Sequence, residues 1–303
     1  MNIEFRLIAG LALALALAAC SGAMAQTVGS GLAARLECNQ CSRWNAEQAP
    51  IRLAPNTWYV GPRGLSSVLI STEDGLILID GGLPQSAAQI ATHIRQLGFD
   101  PRQIRYLLNS HAHFDHAGGL AALAALSGAT VVSSPDGLAA LRSGLASADD
   151  PQAGFGAKAA FPPLSANQPT RSMAQGEVLS LGGTELIAEY TPGHAPGGMS
   201  WRWRACDANQ ACVNVVYADS LNAVSTPDYR FSDHPQVLAS LTASIERVAG
   251  FDCDLLISVH PEQSQLFERA DTQRLIDPAA CRHYAEQAAQ ALARRLQQER
   301  KAN

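Results

Sequence analysis

His111-Ala112-His113-Phe114-Asp115-His116, followed at once by Ala117-Gly118-Gly119, is the stretch that decides how this chain reads. Four metal-ligating side chains fall within six residues, and three are imidazoles. Neutral histidines and a carboxylate gain little by crowding together. A divalent transition metal supplies the missing attraction, and imidazole with carboxylate oxygen is a set that suits zinc. In an extended segment residues two apart point to the same side, so His111 and His113 can share one ion. Asp115 and His116 then reach a neighbouring position, which makes two adjacent metals more natural than one.

Outward from this stretch, further segments carry the same chemistry. Leu76–Asp80 runs into Gly81-Gly82, and Thr191-Pro192-Gly193-His194-Ala195-Pro196-Gly197-Gly198 places a histidine in a turn. Tyr217-Ala218-Asp219-Ser220-Leu221 and Val259-His260-Pro261 follow apolar runs. In this order the segments resemble the metallo-β-lactamase superfamily, and in detail its subclass B3 zinc β-lactamases, over residues 44–290. The resemblance implies an α/β fold, an αββα sandwich of two facing mixed sheets with helices on the outer faces. It implies two Zn2+ per chain, the first on His111, His113 and His194, the second on Asp115, His116 and His260. Three protein ligands per ion leave a position open on each, as in catalytic sites. Asp80 resembles the superfamily's structural aspartate, which braces the ligand loops without binding metal. Ser110 reads as a hydrogen-bonding residue behind the ligands.

At 303 residues the length suits one large domain or two modest ones, with ample core. Apolar residues make up 47% and charged residues 16%, and the formal charge of −5 offers no basic surface for nucleic acid. Residues 1–25 read as an export signal, with Arg6 ahead of an apolar run from Leu7 to Ala19 that is short for a membrane span. Two cleavage sites compete. Ala23-Met24-Ala25 before Gln26 fits ordinary signal peptidase, whereas Leu17-Ala18-Ala19-Cys20 resembles a lipobox whose use would lipidate Cys20 and tether the protein to a membrane. Residues 26–303 then form a single domain, expected to be periplasmic and monomeric.

Six cysteines remain after either cleavage, and an even count in an exported chain favours disulfides. Local spacing suggests Cys206 with Cys212, and Cys253 with Cys281, the latter also implied by the resemblance. Closing the longer loop stabilises by about 3–4 kcal/mol in the chain-entropy model. Cys38 and Cys41 pair with each other or stay free; the strand-then-helix setting of a redox motif is missing.

Short apolar runs at Trp58–Val60, Ser67–Ser71 and Leu76–Asp80 predict strands, and Pro84 opens a helix with Ile90, Ile94 and Leu97 on one face. Strands are expected at 104–108, 130–133, 178–181, 185–190, 200–204, 213–218 and 255–259. Helices are expected at 119–126, 135–142, 236–248 and 278–298. Residues 144–172 break the pattern: either a surface excursion or a lid that sets Phe155 or Phe161 over substrate. His93, His234 and His283 lack ligand context and read as surface histidines.

The resemblance implies opening of a β-lactam ring by a zinc-bound hydroxide, with Asp115 orienting the nucleophile and passing a proton to the leaving nitrogen. Ser220 and Asn222 are the candidates to hold the substrate carboxylate, although the resembled family commonly has a second serine where Asn222 stands. The alternative is a superfamily lactonase or thioester hydrolase of the acyl-homoserine lactonase or glyoxalase II type. Those usually supply a bridging aspartate where Asp219 stands; export and the whole string YADSL favour the β-lactam reading. A zinc-binding protein without activity is a third class, against which the open metal positions argue.

Overall fold

The structure is a computed structural model that describes residues 35–301; residues 1–25, read as an export signal, and Cys20 lie outside the described residues. A seven-stranded sheet has the order β1-β2-β3-β4-β5-β6-β7 and comprises β1 (Ile51–Ala54), β2 (Thr57–Tyr59), β3 (Val68–Thr72), β4 (Gly75–Ile79), β5 (Ile104–Leu108), β6 (Thr130–Ser133) and β7 (Thr170–Ser172). Its first four strands pair antiparallel and β4 to β7 pair parallel. The second sheet contains β8 (Val178–Leu181), β9 (Thr184–Tyr190), β10 (Met199–Cys206), β11 (Cys212–Ala218) and β12 (Leu255–Ser258), in the order β12-β11-β10-β9-β8. Only the β11–β12 pair in it is parallel.

The burial of each sheet on both faces explains the layers. Ile70, Ile77, Ile79, Leu108 and Val132 of the first sheet meet Leu186, Trp201, Trp203, Tyr217 and Ile257 of the second in one core. The other face of the first sheet packs on the helices Ser86–Gln96, Leu120–Ser127 and Pro135–Ser143. The other face of the second packs on Pro235–Ala249 and Ala280–Lys301. This is the expected αββα sandwich. Parallel strands joined through helices, buried on both faces, are why these segments read as continuous apolar runs rather than alternating ones.

Local signals hold at most boundaries. Ser134 accepts from Gly137 N at 3.0 Å and Pro135 occupies the first turn, while Gly144 at φ 72° ends the same helix. The helix expected from Pro84 begins at Ser86, whose hydroxyl instead accepts from Leu83 N. Disulfides join Cys38 to Cys41, Cys206 to Cys212 and Cys253 to Cys281.

Three expectations need correction. His93 is buried, with Nδ1 2.8 Å from Val60 O, because its helix face turns inward there. Residues 144–172 are not wholly irregular: Ala153–Ala159 forms 3-10 turns and Thr170–Ser172 extends the first sheet. Phe161 belongs to the core beneath the first sheet, so of the two aromatics only Phe155 faces the cleft described below.

Candidate metal centre

Strand ends converge on one edge of the sandwich. β5 leads directly into Asn109, Ser110 and the His111–His116 stretch, and the β9–β10 turn carries His194. β11 and β12 run parallel, with Ala218 paired to Ser258, so Asp219-Ser220 and Val259-His260 emerge side by side. The two sheets are tied there: Met199 N donates to Ser110 O at 2.7 Å, and Trp201 Nε1 to Asn109 O at 3.2 Å.

Asp80 anchors this edge from below. It is fully buried at a positive φ of 59°, a conformation that aspartate tolerates better than most side chains. Its Oδ1 accepts from Ser110 N (2.7 Å) and Asn109 Nδ2 (3.1 Å), and its Oδ2 from Ser110 Oγ (2.6 Å) and Tyr217 OH (2.9 Å). Burial pushes its carboxyl up, opposed by His116 and Ser110. With both oxygens engaged, Asp80 braces the loop. The glycines after the histidine motif allow close approach: a Cβ on Gly119 would meet Gly81 O at 2.2 Å.

The six candidate ligands come together. The ligand atoms of His111, His113 and His194 lie within 4.8 Å of one another, and so do those of His111, Asp115 and His116. Asp115 Oδ2 lies 3.3 Å from His116 Nε2 and 3.5 Å from His260 Nε2, which brings His260 into the same group. His260 is partly exposed and the other five are buried.

The far nitrogen of four of the imidazoles is engaged away from the cluster. His111 Nδ1 pairs with Asp219 Oδ1 at 2.7 Å, His113 Nε2 with Asp150 Oδ2 at 2.9 Å, His194 Nδ1 with Asn222 O at 2.8 Å and His260 Nδ1 with Gly64 O at 3.3 Å. Such outer partners fix the tautomer and orient the ring of a metal-binding histidine. His111 Nε2 and both nitrogens of His116 are buried without a hydrogen-bond partner. Buried polar atoms rarely go unsatisfied, so a metal ion fits this donor set. Burial, with the neighbouring imidazoles adding to it, holds His111 far below the usual histidine range, and burial with His113 lowers His194 to about 3. Both are therefore neutral, as ligands must be. Burial alone would push Asp115 up, but His116 and His260 outweigh it and keep the carboxylate ionised.

The cluster opens into a cleft of about 680 Å³ lined by His113, Asp115, His194 and His260 together with Ser220 and Asn222. Ser220 is buried and its Oγ accepts from Asn222 Nδ2 at 3.3 Å. Among the lining residues, Trp44, Gln152 and Lys158 escaped the sequence reading. Trp44 sits against His260, ring centroids 5.4 Å apart, on the segment closed by the Cys38–Cys41 disulfide and held to Glu262 by Arg43. Gln152, Phe155 and Lys158 come from the 144–172 segment. Gln152 Nε2 lies 3.3 Å from His113 Nδ1 and 3.5 Å from His194 Nε2. Behind them Asp150 backs His113. The pair Asp149-Asp150 in an otherwise Gly- and Ala-rich stretch was the one available signal.

The model of the metallo-beta-lactamase superfamily matches residues 60–260, and the chain belongs to that superfamily. Within it, the chain is similar to solved β-lactamases at high identity. Rm3 metallo-beta-lactamase is 46% identical, with a TM-score of 0.83 over 87% of this chain and 99% of its own. MEM-A1, a subclass B3 metallo-beta-lactamase from a soil metagenome library, is 48% identical, with a TM-score of 0.80 over 86% and 100%. Among curated relatives, an N-acyl homoserine lactonase of Bacillus thuringiensis is 27% identical over 155 residues, 44% of this chain. The chain spans 55% of that lactonase's length and 30% of a Bacillus cereus lactonase that is 34% identical over 74 residues. No described helix is long and apolar enough to cross a membrane.

Proposed function

We propose that this chain is an exported, periplasmic zinc-dependent β-lactamase that opens the ring of β-lactam antibiotics with two zinc ions, His111, His113 and His194 holding one and Asp115, His116 and His260 the other. The observation that carries this reading is the position of Asp219. A lactonase or thioesterase of the superfamily usually places a bridging carboxylate here. Asp219 instead pairs with His111 Nδ1 at 2.7 Å and belongs to neither metal-sized group, while His111 Nε2 is left without a hydrogen-bond partner. The likeness to subclass B3 enzymes over most of the chain supports the same reading.

When bound, zinc supplies a water activated at neutral pH and polarises the lactam carbonyl. The chain's own residues do the rest. Hydrolysis adds water oxygen to the carbonyl carbon, breaks the C–N bond and delivers a proton to nitrogen. Asp115, ionised and 3.5 Å or less from His116 and His260, is placed to orient the water and carry that proton. Ser220 and Asn222 donate hydrogen bonds to the substrate carboxylate from one wall of the cleft. Trp44 and Phe155 supply the apolar surface that excludes water.

The test is a hydrolysis panel of β-lactams, a homoserine lactone and a thioester, with and without chelator. Chelator-sensitive turnover of the β-lactams is expected. Turnover confined to the lactone or thioester would overturn the substrate assignment, and undiminished turnover by verified metal-free protein would overturn the mechanism.

A further inference from the structure

The chain has two lysines, Lys158 and Lys301, against twenty arginines. One of the two stands in the cleft. It is carried by Ala153–Ala159, two short 3-10 turns joined at a kink where Gly156 has a φ of 52°. Gln152 and Phe155 before the kink and Lys158 after it all line the same opening. Among the described residues Lys158 is the only lysine or arginine that does so; the lining carboxylates among them are Glu37, Asp115 and Glu262. Each of those has a cationic or imidazole neighbour: Arg35 at 3.9 Å, His116 at 3.3 Å, and Arg43 respectively. Lys158 has no ion pair or hydrogen bond with other described residues. An unpaired ammonium thus faces a cleft that has to accept an anion.

We propose that Lys158 is a specificity-determining residue: its ammonium attracts and pairs with the carboxylate next to the ring nitrogen of a β-lactam, while Ser220 and Asn222 supply hydrogen bonds to the same group. This rests on the β-lactamase reading of the site. A lysine suits the task because it is a compact charge on a flexible stem, able to follow ligands of differing shape. The pair forms at a solvent-exposed wall, so its contribution is modest. Exposed ion pairs are typically worth a twofold to fivefold change in affinity, about 0.5–1 kcal/mol. Salt should screen it, because the Debye length falls from about 10 Å at 0.1 M to about 3 Å at 1 M.

The experiment compares a penicillin with its uncharged methyl ester on the zinc-loaded enzyme and on Lys158→Ala, Lys158→Arg and Lys301→Ala. For the free acid, Lys158→Ala should raise KM about threefold to fivefold with kcat nearly unchanged. Lys158→Arg should restore KM, Lys301→Ala should have no effect, and the difference should shrink at 1 M NaCl. The ester should be indifferent to residue 158. Calorimetric binding of acid and ester to Asp115→Asn protein, with and without Lys158→Ala, gives the same comparison without turnover. An equal loss on acid and ester, or no loss on the acid, overturns the role of Lys158 while leaving the β-lactamase reading intact. Failure of the wild-type enzyme to hydrolyse any β-lactam overturns both.

Discussion

The carboxylate of Asp219 lies 2.7 Å from Nδ1 of His111, and both side chains are fully closed to solvent. The pair holds the imidazole plane and leaves Nε2 without a hydrogen-bond partner, in a residue that groups with His113 and His194 and with Asp115 and His116. Asp219→Ala removes the acceptor but no ligand. Zinc affinity should fall on the order of 10- to 100-fold, the usual effect of losing such a partner. Competition against a chelating dye measures it, and circular dichroism should show the fold retained. Unchanged affinity would mean that packing alone orients His111.

Asp115 plays a different part, because it faces both His116 and His260. Asp115→Ala leaves His111, His113 and His194 in place. Metal content per chain should drop from two towards one, and hydrolysis should fall by about 10²-fold or more. Two retained zincs with unchanged turnover would show the ligand assignment to be wrong.

The candidate ligands could be proposed from the sequence because most of them are local. Four are packed into His111–His116, and His194 and His260 stand in a Pro-Gly-His turn and after a buried strand run. The sandwich followed because strands buried on both faces leave continuous apolar runs. What stayed hidden depends on long-range placement. Trp44 reaches His260 from more than two hundred residues away, and Gln152 and Lys158 belong to a segment with no periodicity to read. His93 showed helical spacing, but only its contact with Val60 reveals that its face is buried.

Far from the candidate metal centre, Glu299 ties the last helix to the segment before Pro235–Ala249. Its Oε1 accepts from Phe231 N (3.0 Å) and Arg295 Nε (2.7 Å), and its Oε2 from Ser232 N (2.9 Å). Burial pushes the carboxyl up, but these donors outweigh it and hold it at about 2. A folded pKa below the unfolded one means stability that is fully present above about pH 4.5 and lost as pH falls through about 2. Glu299→Gln should therefore cost about 1–3 kcal/mol at pH 7, a shift of several degrees in Tm. The gap from wild type should close in acid. Equal thermal midpoints at pH 7 would show that the carboxylate contributes nothing net.

Ser220 and Asn222 stand on the cleft wall, and their side chains touch each other, Asn222 Nδ2 donating to Ser220 Oγ at 3.3 Å. That contact leaves the serine hydroxyl proton and the second amide hydrogen free to meet a ligand. Replacing both residues by alanine removes these donors but keeps the Asn222 carbonyl, which accepts from His194 Nδ1 at 2.8 Å. The first metal's ligands should thus be undisturbed, and zinc content should match the wild type. If the donors hold the substrate carboxylate equally in ground and transition states, the loss appears in KM and not in kcat. A hydrogen bond to a charged group is worth about 1.5–3 kcal/mol, so KM should rise on the order of tenfold or more. The measurement is steady-state kinetics on several carboxylate-bearing β-lactams at verified metal content. A fall in kcat with constant KM would assign the pair to the transition state. Constant KM and kcat on every substrate would remove both residues from the anchor and leave the charge of Lys158 to hold the carboxylate.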